Sequence, residues 1–481
     1  MRFWNSIEGG WRECLTLRAP LLGTWLAEAH ASRYTDGVLT PREFDPAHDS
    51  EFFSALPAVP AVFVLRANPP AGEPYVSKTA NLRRRLERLL GAAPNATPAR
   101  RLNLRERVSA VEFREVGGDF EAGFALYRLL RTEFPRTYAA RLHLRPAPLL
   151  HLLGENPYPR VEVTSRIRLP RSGGGRFGSR LGTDETYFGP FVSRAEAEHY
   201  ANDSLDFFLL RRCTPELQPD PAFPGCVYSE MKMCLAPCFK GCTDERYGEE
   251  ASRVRRYLES GGRSLLVEIG RARDEASARL EFEAAAAAHA KLEKLKSLQG
   301  RIREIVRPID RLNGVLLQPS HLAGHIALFR IAGGMLAGPI AFDLSARAPK
   351  PPKLEAARFE AGEKSQPQAL PSPVTESQSP QSPSTQSQSM EARIQDALRA
   401  ADPPVPASAR EWMEHIAILK RWYYRSSKVG EVFFEDEHGA LPMRRVVRAV
   451  GRVFKGEKPA GDLSETAGDY WAFRGREAGL K

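Results

Sequence analysis

Residues 60–90 read PAVFVLRANPPAGEPYVSKTANLRRRLERLL. Ala61-Val62-Phe63-Val64-Leu65 is an apolar run, Asn68–Pro74 is a Pro/Gly break, and Tyr75-Val76-Ser77-Lys78 resumes extended character. Two short strands across such a break predict a hairpin. From Asn81 the period changes. Leu82, Leu86, Leu89 and Leu90 fall on one helical face and arginines cover the remainder, the pattern of an amphipathic helix. A hairpin feeding a basic helix can hold a phosphodiester, with Arg83, Arg84 and Arg88 as its phosphate-facing cations. The plain alternative is a solvated basic face, with Tyr75 packed against the helix.

Charge supports the first reading. The 481 residues carry a net charge of +10, and 51–145 alone hold 16 Arg and Lys against 9 Asp and Glu. That imbalance favours a polyanionic partner, nucleic acid before membrane surface. Hydrophobic residues make up 42%, enough for real cores, and no apolar run approaches a membrane span. The start, MRFWNSIEGGWRECLTLRAP, lacks a signal-peptide layout. The expectation is therefore a cytoplasmic, DNA-binding, multidomain protein.

A second dense stretch is Leu210–Cys242, LRRCTPELQPDPAFPGCVYSEMKMCLAPCFKGC, which contains five of the six cysteines. Cys213, Cys226, Cys234 and Cys238 form a C-x12-C-x7-C-x3-C series. Four thiolates on short loops can close around zinc or an iron–sulfur cluster. In a reducing compartment a disulfide framework is disfavoured; unrelated buried thiols are the remaining alternative. Cys242 is a spare ligand for Cys238.

These residues resemble the UvrC family of nucleotide-excision-repair endonuclease subunits, beginning with its GIY-YIG nuclease domain. Family sequences read P-G-V-Y, a turn, Y-V-G-K-A-x-N/D-L and a basic helix. Here stand Pro60-Ala61-Val62-Phe63, a turn, Tyr75-Val76-Ser77-Lys78-Thr79-Ala80-Asn81-Leu82 and Arg83-Arg84-Arg85. Glu121–Arg131 with Pro135-Arg136-Thr137-Tyr138 resembles the family's E-A-L-x-L-E-x-x-L-I-K and P-R-Y-N. Tyr158–Thr164, Tyr187–Phe191 and the spacing of the last three cysteines in the series continue the likeness. Asp274–Leu298 resembles the UVR motif, through which the family meets its partner UvrB, and Leu280, Phe282 and Glu283 are its partner-binding positions. In such proteins the cysteines hold an iron–sulfur cluster, so the resemblance favours iron–sulfur over Zn.

The resemblance also assigns Tyr75, Lys78 and Arg85 to the catalytic site. Several family positions are replaced. The first tyrosine falls at Phe63, the second glycine at Ser77, a helix tyrosine at Leu89, the metal-binding glutamate at Leu126 and the final asparagine at Tyr138. Phe63 can neither donate nor accept a proton. Without a carboxylate, a Mg or Mn ion lacks its anchor; Glu121 or Asp119 is the nearest substitute. Binding without cleavage is the reading that these replacements favour.

Beyond Gly300, Val315–Leu317, His325–Ile331 and Met335–Leu344 read as strands. The RNase-H-like and helix-hairpin-helix half of the family does not follow. Residues 346–408 turn Pro/Ser/Gln-rich and read as a disordered linker. Trp412, Ile416, Leu419 and Tyr423 then mark a helix, and Val432–Phe434 and Met443–Val450 a strand pair returning to the earlier sheet. Trp422, Tyr423 and Tyr424 read as core aromatics before base-stacking ones.

The expected fold class is α+β multidomain. Its parts are an N-terminal extension (1–50) with Trp4, Trp11 and Trp25, and a GIY-YIG-like small mixed α/β domain (51–145). A Cys-rich cluster region (146–245) and a helical UVR segment (246–300) follow. Last come a strand-rich start (301–345), the disordered linker (346–408) and a C-terminal segment (409–481), which closes a small α/β unit across that linker. The expected function is DNA binding in excision repair, with phosphodiester incision if the altered site works. The rivals are a non-catalytic scaffold and a metal-cluster protein serving RNA or redox sensing.

Overall fold

The hairpin of 60–90 is the centre of a four-stranded sheet. A computed structural model describes residues 39–67, 72–92, 102–154, 157–168, 186–345, 389–401, 403 and 405–457; Trp4, Trp11, Trp25 and most of the linker lie outside them. The first elements are β1 (Thr40–Glu43), α1 (Asp49–Ala55), β2 (Ala61–Ala67), β3 (Tyr75–Thr79), α2 (Leu82–Leu90), β4 (Val108–Glu115), α3 (Asp119–Glu133) and α4 (Tyr138–Leu142). The strand order is β1-β4-β2-β3, with Leu65 opposite Tyr75, Phe63 opposite Ser77 and Val62 opposite Lys78. The sheet thus starts before residue 51, because β1 pairs with β4.

Alternation along β2 sorts its two faces. Ala61, Phe63 and Leu65 pack with Leu82, Leu86, Leu89 and Leu90 of α2, and Val62 packs with Val116, Ala122 and Leu126 on the α3 side. Asn81 caps α2, its side chain accepting from the Arg84 N–H at 2.9 Å.

A second sheet, ordered β6-β5-β7-β8, comprises β5 (Leu149–Leu152), β6 (Val161–Thr164), β7 (Thr186–Gly189) and, after a long helical excursion, β8 (Arg307–Pro308). That excursion holds α5 (Arg194–Leu205), the cysteine loop with the short α6 (Val227–Glu230), α7 (Asp244–Glu259), α8 (Arg263–Ala278) and α9 (Phe282–Gly300). The helical character expected of 249–298 is present, broken by left-handed residues at Gly261, Gly262 and Leu280. Leu280, Ala284 and Ala287 are solvent-exposed, and α9 is anchored through Leu292, Leu295 and Leu298.

The third sheet contains β9 (Gly314–Pro319), β10 (His325–Ala332) and β11 (Met335–Asp343); α10 (Met390–Arg399) and α11 (Ala409–Tyr423) precede its last strand, β12 (Glu431–Phe434), and α12 (Met443–Lys455) follows. Its order is β11-β10-β9-β12 with all neighbours antiparallel. Both faces are covered. Leu316, Ala327 and Phe329 face the α11 side, while Val315, Leu317, Ile326 and Leu328 meet α10 and α12.

Two expectations are corrected here. Met443–Val450 is helix, because Val446, Ala449, Val450 and Val453 recur at three- and four-residue steps and all are buried. Their β-branched content suggested a strand, but the period decides. The 346–408 linker is also too long, since α10 buries Ile394 and Leu398 against the third sheet. The closure of the sheet by a late strand is as expected. Among the described residues no helix is long and apolar enough to cross a membrane.

Candidate functional site

The hairpin and α2 bring Tyr75 and Arg85 together: Arg85 Nη2 donates to Tyr75 Oη at 3.0 Å. Lys78 lies on the other face. It shares Val62's side of the sheet, where crowding by the surrounding protein, then Arg425 and Arg421, depress its ammonium and Asp119 opposes them. Alternation therefore separates the three residues assigned together. Phe63 is fully buried, its ring 6.2 Å from that of Tyr75. Ser77 sits opposite Phe63, and Leu89 is in the core beneath α2.

Neither proposed substitute carboxylate reaches Tyr75 or Arg85. Glu121 is buried and accepts from the Gly117 N–H at 2.9 Å, with Arg114 at 3.4 Å. Burial raises its pKa against these two contacts. Asp119 pairs with Arg425 at 2.9 Å. Leu126 packs on Val62, Val116 and Ala122, and Tyr138 donates to Glu414 of α11 at 2.9 Å. Among the described residues no hydrogen bond or ion pair brings a carboxylate to Tyr75 or Arg85.

The three helix arginines differ in freedom. Arg83 is spent on structure, donating to the Leu56 carbonyl through Nε at 2.8 Å and to Ser54 at 3.1 Å. Arg84 and Arg88 are exposed on the outer face of α2. Arg421 and Arg425, on the far side beside Lys78, were invisible in the sequence because more than 300 residues separate them from that lysine.

In the cysteine loop, Cys213, Cys226, Cys234 and Cys238 line one small pocket, partly open to solvent. Burial raises the Cys234 thiol to about 11, and the other three thiols add to the rise. Cys242 does not line that pocket and packs against the main core. The backbone is strained around the pocket: Lys232, Ala236 and Lys240 all have left-handed φ between 54° and 58°, a conformation costly for residues with a Cβ. As placed, no group of three or more His, Cys, Asp or Glu side chains among the described residues is arranged to hold a metal ion. The donor chemistry fits a thiolate-ligated centre. Sequence reasoning missed Arg211, which is buried beside Cys213 and donates to its Sγ at 3.7 Å. A signal was present in a cation interrupting the apolar run before that cysteine.

The α8–α9 hairpin projects its turn into solvent. Leu280 and Phe282 are 70% and 69% exposed, and Glu283 beside them is exposed too.

Residues 151–257 match the family described as UvrC/Cho excinuclease, middle domain, a range that includes the cysteine loop and most of α7. The chain is 29% identical to UvrABC system protein C of Idiomarina loihiensis over 198 residues, covering 38% of this chain and 32% of that protein. It is 31% identical to the Alkalilimnicola ehrlichii protein of the same name over 158 residues, 33% of this chain and 25% of that one. With the Rhizobium meliloti protein the identity is 28% over 293 residues, 60% of this chain and 37% of the relative. The matched part thus spans roughly a quarter to two-fifths of the relatives' length. No solved structure matches. Residues 151–257 are thus similar to the UvrC/Cho middle domain, and the likeness to UvrC proteins extends over about half of the chain.

Proposed function

We propose that this chain is a cytoplasmic DNA-binding protein of excision repair, derived from UvrC, that grips the phosphodiester backbone and docks a partner without cutting. The observation that carries the loss of cleavage is the surroundings of Tyr75 and Arg85. Phe63 and Leu89 are packed beside them and Leu126 across the sheet, where the family places functional groups, and among the described residues no hydrogen bond or ion pair brings Tyr75 or Arg85 a carboxylate to anchor Mg or Mn. Metal-assisted hydrolysis needs that anion, whereas phosphate affinity needs only charge, which Arg84 and Arg88 present. The second reading, a surviving GIY-YIG endonuclease, is favoured by the retained Tyr75–Arg85 hydrogen bond.

The cysteine pocket supports an iron–sulfur cluster held by Cys213, Cys226, Cys234 and Cys238. These four line one pocket, and the likeness to UvrC favours a cluster over zinc as their guest. The exposed turn at Leu280, Phe282 and Glu283 suits docking of a UvrB-like protein as a UVR motif does, since large exposed apolar side chains at a projecting tip mark interaction sites.

Strand nicking tests the proposal. Anaerobically purified protein is incubated with supercoiled and lesion-bearing DNA, Mg²⁺ or Mn²⁺, with and without UvrB, beside Arg85→Ala. The expected result is salt-sensitive binding with no nicking. Nicking that disappears in Arg85→Ala establishes the endonuclease instead. Phe282→Ser is expected to weaken UvrB capture at least tenfold; unchanged capture removes the docking assignment.

A further inference from the structure

We propose that Arg211 is the buried counter-cation of the cysteine-ligated centre, a positioning residue that neutralises the centre's charge and tunes it through Cys213. This rests on reading the cysteine pocket as a metal centre.

Arg211 is 1% exposed and heads the largest fully buried side chains of the described residues. Its guanidinium donates to the Tyr158 carbonyl through Nε at 2.8 Å. Nη1 donates to the Pro215 carbonyl at 2.9 Å, the Cys213 carbonyl at 3.4 Å and Cys213 Sγ at 3.7 Å. Every acceptor is neutral when the thiol is protonated. No carboxylate pairs with this guanidinium among the described residues. Other partly buried arginines have one: Arg66 with Glu112, Arg114 with Glu121, Arg253 with Glu250. The adjacent Arg212, which also lines the pocket, is neutralised by Asp206 at 3.0 Å.

A buried cation without an anion is strongly unfavourable, so its retention calls for a negative partner at the one place it faces. Four thiolates supply it. Their charge exceeds that of a zinc ion or of a common iron–sulfur core, so either loaded centre is anionic. The N–H···S contact to Cys213 then becomes charge-assisted. A cation at that distance favours the reduced, more negative state of a cluster. The carbonyl contacts to Tyr158, Cys213 and Pro215 hold the guanidinium in place and fix the loop at its first ligand.

The test uses the full-length chain, loaded and after chelation, as wild type, Arg211→Met, Arg211→Gln and Arg211→Lys. Iron, acid-labile sulfide and zinc per chain, thermal unfolding of both forms, and the reduction potential or the rate of metal loss to a chelator are measured. The expected result has opposite signs in the two forms. Arg211→Met and Arg211→Gln lower the Tm of the loaded form, and shift the potential negative or speed metal loss at least tenfold. The metal-free form is as stable as wild type or more so, and Arg211→Lys restores most of the loaded behaviour. Equal destabilisation of both forms, with potential and metal retention unmoved, overturns the proposal and leaves Arg211 a structural residue. So does failure of both neutral variants to fold without metal. A wild-type chain that takes up neither iron with sulfide nor zinc overturns the reading of the pocket itself; a loaded chain indifferent to Arg211 overturns this inference alone.

Discussion

Individual side chains in this protein often serve the fold where their type suggests chemistry. Arg83 stands in a run of basic residues, yet its guanidinium closes the end of α1 through the Leu56 carbonyl. A hydrogen bond to a charged group contributes about 1.5–3 kcal/mol, so Arg83→Ala is expected to lower stability by roughly that amount. Exposed Arg84→Ala changes it by less than about 0.5 kcal/mol. Urea unfolding of the two variants checks this, and the opposite order for DNA affinity is expected from salt-dependent binding. His415 is a second case. It is buried among Phe124 and Tyr127, and its Nδ1 accepts from the Leu336 N–H at 3.0 Å. Burial pushes its pKa down to about 4. As pH falls below the unfolded value near 6.5, the unfolded chain takes up a proton that the folded chain refuses until about 4. Stability is therefore lost between those limits, by about 2 kcal/mol on going from pH 7.5 to 5. His415→Gln keeps an acceptor for Leu336 and is expected to flatten that part of the profile; an unchanged pH slope would count against this account.

At the scale of elements, α3 is the hinge of the design. Its N-terminus meets β9 so closely that a Cβ on Gly117 would lie 2.0 Å from the Pro319 carbonyl oxygen. One of its faces packs on the first sheet through Ala122 and Leu126. Phe120 and Phe124 on another face meet Phe329 of β10, and Phe120 also meets Trp422 of α11. Tyr127 and Tyr138 share Glu414, and Arg131 pairs with Glu411. Gly117→Ala is expected to cost about 1–3 kcal/mol by overpacking, and calorimetry should show one cooperative transition moving to lower temperature. This packing also explains why the segment around Tyr138 cannot serve as an open active-site wall: it is spent on α11.

Across the whole molecule, the C-terminal segment completes structure begun more than 100 residues earlier. Glu431 pairs with Leu317 and Phe434 with Gly314, and α11 brings Trp412, Ile416 and Leu419 into the main core. A chain ending at Ser345 would uncover Phe120, Phe124 and Phe329 together with the free edge of β9, and exposed edges and apolar faces favour aggregation. Size-exclusion chromatography is expected to show aggregate for that truncation and monodisperse material for the full chain. A well-folded monomer from the short chain would show that the segments are energetically independent.

The hairpin, the capped basic helix and the late closing strand were legible in 481 letters because period and turn chemistry are local signals. So was the likeness to UvrC, carried by short motifs in order. Met443–Val450 misled because its valines favour strands, while its burial period needed the sheet beneath to reveal itself. What only the tertiary structure decided is which groups meet. Alternation places Lys78 across the sheet from Tyr75 and Arg85, burial commits Glu121 to the Gly117 amide, and Arg211 turns inward to Cys213. Local sequence specifies the elements; the direction of a side chain, and the charge it faces, depend on contacts between residues far apart in the chain.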